Sequence, residues 1–151
     1  DMAIIYVVYQ KLKKTNAKIV AHVNEEEVLI DRNKNLSAQL PGPLVEFDAD
    51  EYVQEGDIIE LGSLKLKVIH TPGHTKGGVC YYFADYGWLI SGDTLFQMSI
   101  GRTDFPTGNL NDLLTAIREK LFVLPPWTKV LSGHTPPTTI EEESRCNPFL
   151  Q

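Results

Sequence analysis

Between residues 57 and 91 the chain alternates short apolar or β-branched runs with turn residues, and this region limits the possible folds more than any other. Residues 57–60, 64–70, 79–83 and 88–91 each read as a strand, with Gly62-Ser63 and Asp85-Tyr86-Gly87 as hairpin-like turns. In the second run Leu64, Leu66 and Val68 alternate with Lys65 and Lys67, the period-two pattern of a strand with one wet face. A helix is expected over residues 109–122, with Leu110, Leu113, Leu114, Ile117 and Leu121 on one side and Pro125-Pro126 ending it. Residues 128–131 form the last expected strand, which delivers Ser132-Gly133-His134 to its end.

The earlier part is less regular. Ile4, Ile5, Val8 and Leu12 fit a helical stripe, so residues 2–14 are read as a helix, although the β-branched run 4–8 would also suit a buried strand. Residues 17–22 read as a short buried strand. Asn24 followed by Glu25, Glu26 and Glu27 looks like an N-cap with an acidic first turn. Residues 31–47 hold Asn33, Asn35, Ser37, Pro41, Gly42 and Pro43 without a sustained period, and are expected to be a long surface connection.

A chain of 151 residues is most simply one domain, here 1–151, long enough to bury a core. The net charge of −6 argues against nucleic acid as a partner, because a phosphate-binding surface needs clustered Lys and Arg; Lys11, Lys13 and Lys14 read as a solvated helix face. The apolar run 3–9 is too short to span a bilayer, and its lysines follow the run where a signal peptide would place them before it. Cys80 and Cys146 stand far apart in no metal-finger spacing. A reduced, cytoplasmic protein with no membrane partner is therefore expected.

Three segments repeat one pattern, a strand ending in a glycine turn and then a polar residue. They are His70-Thr71-Pro72-Gly73-His74-Thr75, Leu89-Ile90-Ser91-Gly92-Asp93-Thr94 and Val130-Leu131-Ser132-Gly133-His134. Taken singly, His74 or His134 reads as a loop histidine bonded to backbone, and Asp93 as a turn or N-cap residue. The repetition argues for convergence on a metal, since imidazole and carboxylate suit zinc, iron or manganese and an aspartate can bridge two cations. His22 and His70 are read as structural; His70 is placed to support the Pro72-Gly73 loop.

These segments, together with Gly92-Asp93-Thr94-Leu95-Phe96, Ser99-Ile100-Gly101-Arg102-Thr103-Asp104, Gly133-His134 and Asn147-Pro148-Phe149-Leu150, resemble the metallo-β-lactamase superfamily. More narrowly, they resemble its glyoxalase II-like branch of short bacterial hydrolases, from about residue 15 onward. The resemblance implies an α/β fold, a four-layer αββα sandwich with metals at one edge between two sheets. It places His74 in a first metal site, His134 in a second and Asp93 between them, with one or two zinc ions as the expected cofactor and iron or manganese as alternatives. It implies hydrolysis of a small-molecule thioester or ester, hydroxyacylglutathione hydrolase-like, through a metal-bound hydroxide. Arg102 and Asp104 either order the loop beside the metals or form a surface salt bridge.

The family's early His-x-His-x-Asp-His signature does not occur in the chain. Asp1 falls near the position of its aspartate, and Met2 stands where its last histidine would be. The family's opening strands would precede Asp1, so the fold is expected to be incomplete at the N-terminus. The chain reads first as a fragment of a longer protein; completion by another chain and natural truncation are the alternatives. An open sheet edge predicts a homo-oligomer, a completing chain or aggregation. The segment Gly101-Arg102-Thr103-Asp104 also resembles an iron-dependent persulfide dioxygenase branch, and the missing signature leaves open a non-catalytic binding protein with a degraded metal site. In true glyoxalase II enzymes a glutathione-binding helical domain follows the position corresponding to Leu150.

Overall fold

Two antiparallel steps restore a strand's direction, and that parity organises the computed structural model, which describes residues 17–39 and 46–151. The chain falls into two compact units, the first ending at Val53 and the second spanning Gln54–Gln151. The expected helix over residues 2–14 lies outside the described residues.

In the first unit β1 (Val20–His22) pairs in parallel with β2 (Glu51–Val53). The expected strand over 17–22 thus begins only at Val20. A 3-10 turn, Val23–Glu25, then leads into the short helix α1 (Glu26–Leu29), with Glu26 and Glu27 in its first turn. Asn24 is not the N-cap. The turn starts earlier, and the His22 imidazole caps it by accepting the Asn24 N–H through Nδ1 at 3.2 Å. Residues 31–39 are not all surface either, because Asn35 and Ser37 are buried. Asn35 binds local backbone there, its amide donating to the Leu29 carbonyl and its Oδ1 accepting the Ser37 N–H.

The second unit is built on a six-stranded sheet in the order β10-β9-β6-β5-β4-β3. Its strands are β3 (Ile58–Leu61), β4 (Leu64–His70), β5 (Val79–Phe83), β6 (Trp88–Gly92), β9 (Lys129–Ser132) and β10 (Thr138–Thr139). The first four match the sequence reading to within a residue at either end; β10 follows the strand expected to be last. A separate hairpin joins β7 (Leu95–Phe96) to β8 (Ser99–Ile100). β3 through β6 run antiparallel in sequence, whereas β6 and β9 are parallel. Parallel neighbours need a crossover, and the helix supplies it.

That helix, α2 (Leu110–Ala116), continues through a wider π turn at Ile117–Leu121. Asn109 caps it, its Oδ1 accepting the N–H groups of Asn111 and Asp112. Leu113, Ile117 and Leu121 are fully buried. They pack with Ile69, Cys80, Leu89 and Val130 of the sheet, with Leu95 and Ile100 of the hairpin, and with Ile140 and Leu150 of the C-terminal segment, which contains α3 (Ile140–Cys146). Leu110, expected on this buried side, is exposed, because the first helical residue lies outside the buried cluster. Lys65 and Lys67 leave β4's face wet as expected, but farther along the same face Ile69 is buried beneath the helix.

Register makes β4 and β6 co-directional through β5, and β9 co-directional with β6. All three C-terminal ends therefore open on one edge of the sheet, where open α/β sheets place their ligand sites. Among the described residues no helix is long and apolar enough to cross a membrane.

The packing can be read out at single residues. Cys80 is fully buried, which pushes its thiol up to about 11, while Cys146 is exposed. In the native chain at pH 8 a thiol reagent is expected to label Cys146 quickly and Cys80 only on unfolding; equal rates would contradict this core. Gly101 donates its N–H to the Thr94 carbonyl, and a Cβ there would sit 1.8 Å from the Asp93 carbonyl oxygen. Gly101→Ala should cost about 1–3 kcal/mol or more in chemical denaturation, and an unchanged midpoint would show that the Asp93 loop yields freely.

Candidate metal centre

Each of the three co-directional strands ends in a turn that carries one candidate ligand, and the turns meet. β4 leads to His74, β6 to Asp93 and β9 to His134. His74 Nε2 lies 3.4 Å from Asp93 Oδ2, and His134 Nε2 lies 3.0 Å from Asp93 Oδ1. One carboxylate thus faces two imidazoles, one at each oxygen. The side chains are partly covered, at 18% exposure for His74, 25% for Asp93 and 35% for His134.

The tautomer of His74 follows from its other nitrogen. Nδ1 lies 2.8 Å from the Arg102 carbonyl oxygen, which can only accept, so Nδ1 carries the hydrogen. In the neutral ring Nε2 then presents a lone pair to a carboxylate oxygen. Two acceptors at that distance repel unless a proton or a metal cation lies between them. Ligand atoms of a tetrahedral zinc site, with metal bonds of about 2.0–2.1 Å, stand about 3.3 Å apart, and both separations around Asp93 are close to that. A ligating histidine that donates its second nitrogen to a carbonyl is also the usual support for metal binding.

No group of three His, Cys, Asp or Glu side chains among the described residues is placed to hold a single metal ion. The arrangement is instead two pairs sharing Asp93, the geometry a bridging carboxylate would have between two cations. The donor types, the His74 tautomer and the two spacings suit coordination, with two protein donors for each ion supplied by the described residues.

The surroundings are partly aromatic. The Phe105 ring meets His74 edge-on with centroids 5.0 Å apart, and Phe96 meets His134 in the same way at 5.6 Å. Arg102 stacks on Phe105 at 4.7 Å and forms a two-pronged ion pair with Asp104, at 2.7 and 2.6 Å. That fork holds the Asp104 carboxyl down at about 2. The surface salt bridge is present at Arg102 and Asp104, and separately the Arg102 backbone carbonyl meets His74 Nδ1. The carbonyl and the two phenylalanine contacts were not identified from sequence. Gly101-Arg102-Thr103-Asp104 was singled out there, but nothing in a side-chain pattern marks a carbonyl as a ligand's partner.

The other two histidines make local structural hydrogen bonds. His70 Nε2 donates to the Lys76 carbonyl at 2.9 Å and so ties the two ends of the loop that carries His74. His22 is the capping imidazole of the first unit.

Comparison with known proteins gives this arrangement a context. A family model described as the metallo-beta-lactamase superfamily matches residues 10–134. The chain is 44% identical over 139 residues to "Probable metallo-hydrolase YqgX" of Bacillus subtilis, covering 91% of this chain and 66% of that protein. It is 42% identical over 97 residues to "Hydroxyacylglutathione hydrolase GloC" of Haemophilus influenzae, covering 64% of this chain and 46% of that protein. The chain thus spans between about half and two thirds of the length of these curated relatives. Among solved structures, BLEG-1 B3 metallo-beta-lactamase superposes with a TM-score of 0.86 at 38% identity, over 95% of this chain and 70% of that one. TTHA1623 in a di-iron-bound form superposes with a TM-score of 0.77 at 30% identity, over 92% of this chain and 68% of that one. Sequence and fold agree, and the chain belongs to the metallo-β-lactamase superfamily.

Proposed function

We propose that the chain belongs to a metal-dependent hydrolase acting on a thioester or ester, with His74, Asp93 and His134 as ligands of one or two zinc ions. The observation that carries this reading is the shared carboxylate: one imidazole Nε2 faces each Asp93 oxygen, and His74 Nε2 is left as an acceptor by the Nδ1 bond to Arg102. Metal ions at such a site supply acidity to a coordinated water and polarise a substrate carbonyl.

The chain's own residues would set up that chemistry. Asp93 would be shared by both ions, with His74 holding the first and His134 the second. Arg102 keeps the His74 imidazole in the tautomer that leaves Nε2 free to coordinate. Phe105 and Phe96 each pack against an imidazole in a T-shaped ring contact. The thioester class is supported by similarity to the hydroxyacylglutathione hydrolase of Haemophilus influenzae. We further read residues 1–151 as part of one family domain, since the family match crosses from the first compact unit into the second. The protein is read as cytoplasmic, a compartment that suits two unpaired cysteines.

A second metal stays within reach of the same donors. The di-iron neighbour supports iron as an alternative to zinc, because imidazole and carboxylate accept either. Iron would favour the persulfide dioxygenase reading over hydrolysis.

In metal titrations of the chain, His74→Ala, Asp93→Ala and His134→Ala are each expected to weaken zinc binding by roughly tenfold or more. If two ions bind, each histidine variant should lose one and the aspartate variant both. Binding equal to that of the unaltered chain in all three variants would remove the metal site. Thiol release from an acyl-glutathione thioester should fall in the same variants, whereas oxygen uptake with a glutathione persulfide would replace hydrolysis by the dioxygenase reading.

A further inference from the structure

Beneath the candidate ligands lies a buried chain of hydroxyl and thiol groups. Thr71 and Cys80 are fully buried and Thr94 is 3% exposed. Thr71 Oγ1 lies 2.9 Å from Thr94 Oγ1 and 3.4 Å from Cys80 Sγ, and Cys80 Sγ lies 3.7 Å from the Ser91 carbonyl oxygen. The hydrogens are satisfied when one threonine hydroxyl donates to the other, the second donates to Cys80, and Cys80 donates to the Ser91 carbonyl. The weak thiol donor is thereby given an acceptor, and burial keeps it protonated.

The position of this chain matters more than its existence. Ser91 and Thr94 are the two ends of the turn that presents Asp93, and the Thr94 N–H donates to the Ser91 carbonyl across it at 2.9 Å. Cys80 on β5 grips one end of that turn, and Thr71, just past the end of β4, grips the other. Thr71 also stands three residues before His74, in the same loop. The Thr71 N–H donates to the Gly78 carbonyl at 2.8 Å, so its own backbone is held. The hydroxyl pair therefore couples the His74 loop directly to the Asp93 turn. A buried hydroxyl without a partner is costly, which keeps the pair closed.

We propose that Thr71 and Thr94, backed by Cys80, are positioning residues that set the separation between His74 Nε2 and Asp93. This rests on the metal-binding reading above, but adds residues that touch no metal themselves. Removing a hydroxyl would leave both candidate ligands present and let the two turns drift relative to each other.

The test uses the whole chain and three readouts: zinc affinity by competition with a chromogenic chelator, the visible spectrum of the cobalt-loaded protein, and the unfolding midpoint without metal. Thr94→Val and Thr71→Val replace a hydroxyl by a methyl of similar size, while Thr94→Ser and Thr71→Ser retain it. Both valine variants should bind zinc roughly tenfold to a hundredfold more weakly and shift the cobalt bands, whereas the serine variants stay within about threefold of the unaltered chain. A purely structural role would lower the metal-free midpoint while leaving the affinity and spectrum of the folded protein alone, and that result overturns the proposal. If one valine variant fails to fold, the other, together with the serine pair, decides the question. Should the unaltered chain bind zinc no better than His74→Ala, the metal reading itself falls and this proposal with it. If those two differ but the valine variants match the unaltered chain, only the positioning claim is lost.

Discussion

The pairing of β4, β5 and β6 by two antiparallel steps, followed by the parallel pairing of β6 with β9, is the constraint on which the site depends. It turns three separate strand ends into one edge, so that residues 74, 93 and 134 meet although far apart in sequence. The parallel step requires the helical crossover, and the crossover buries Leu113, Ile117 and Leu121 on Ile69, Leu89 and Val130. Core packing and site assembly are thus one arrangement. Burial of this kind stabilises each large side chain by roughly 1.5–3 kcal/mol, which anchors the sheet edge beneath the turns.

At that edge the main energetic problem is electrostatic. A carboxylate oxygen facing the bare nitrogen of an imidazole is repelled unless a hydrogen or a metal ion lies between them. The Arg102 carbonyl biases the choice by fixing the hydrogen of His74 on Nδ1. Close backbone approach at Gly101 brings that carbonyl into place, since its position beside the Asp93 carbonyl leaves no room for a side chain. Gly73 and Gly92, which precede two of the candidate ligands at positive φ, and Gly101 before Arg102 serve this geometry.

Much of this was legible in the sequence, for identifiable reasons. The alternation of Leu64, Leu66 and Val68 with lysines located β4 to the residue, because solvent and core impose a period of two. The recurrent strand, glycine and polar residue pattern pointed to the three side chains that the fold brings together. What stayed hidden depends on register or on backbone. The Thr71, Thr94 and Cys80 contacts exist only because the register brings the turns after β4 and β6 beside Cys80 of β5. The capping role of His22 was missed because capping signals favour Asn, and Asn24 stood nearby. Leu110 fits the helical stripe, yet a stripe does not say where the covered surface stops. The π turn at Ile117–Leu121 leaves no residue signature of the kind proline or glycine would.

Anomalous diffraction at the zinc edge, from crystals of the chain grown with zinc, addresses the central claim most directly. The account predicts a peak bonded to Asp93 and to Nε2 of His74 or His134, with Nδ1 of His74 still donating to the Arg102 carbonyl. Zinc bound elsewhere, with His74 and Asp93 in direct contact and no peak between them, would contradict it.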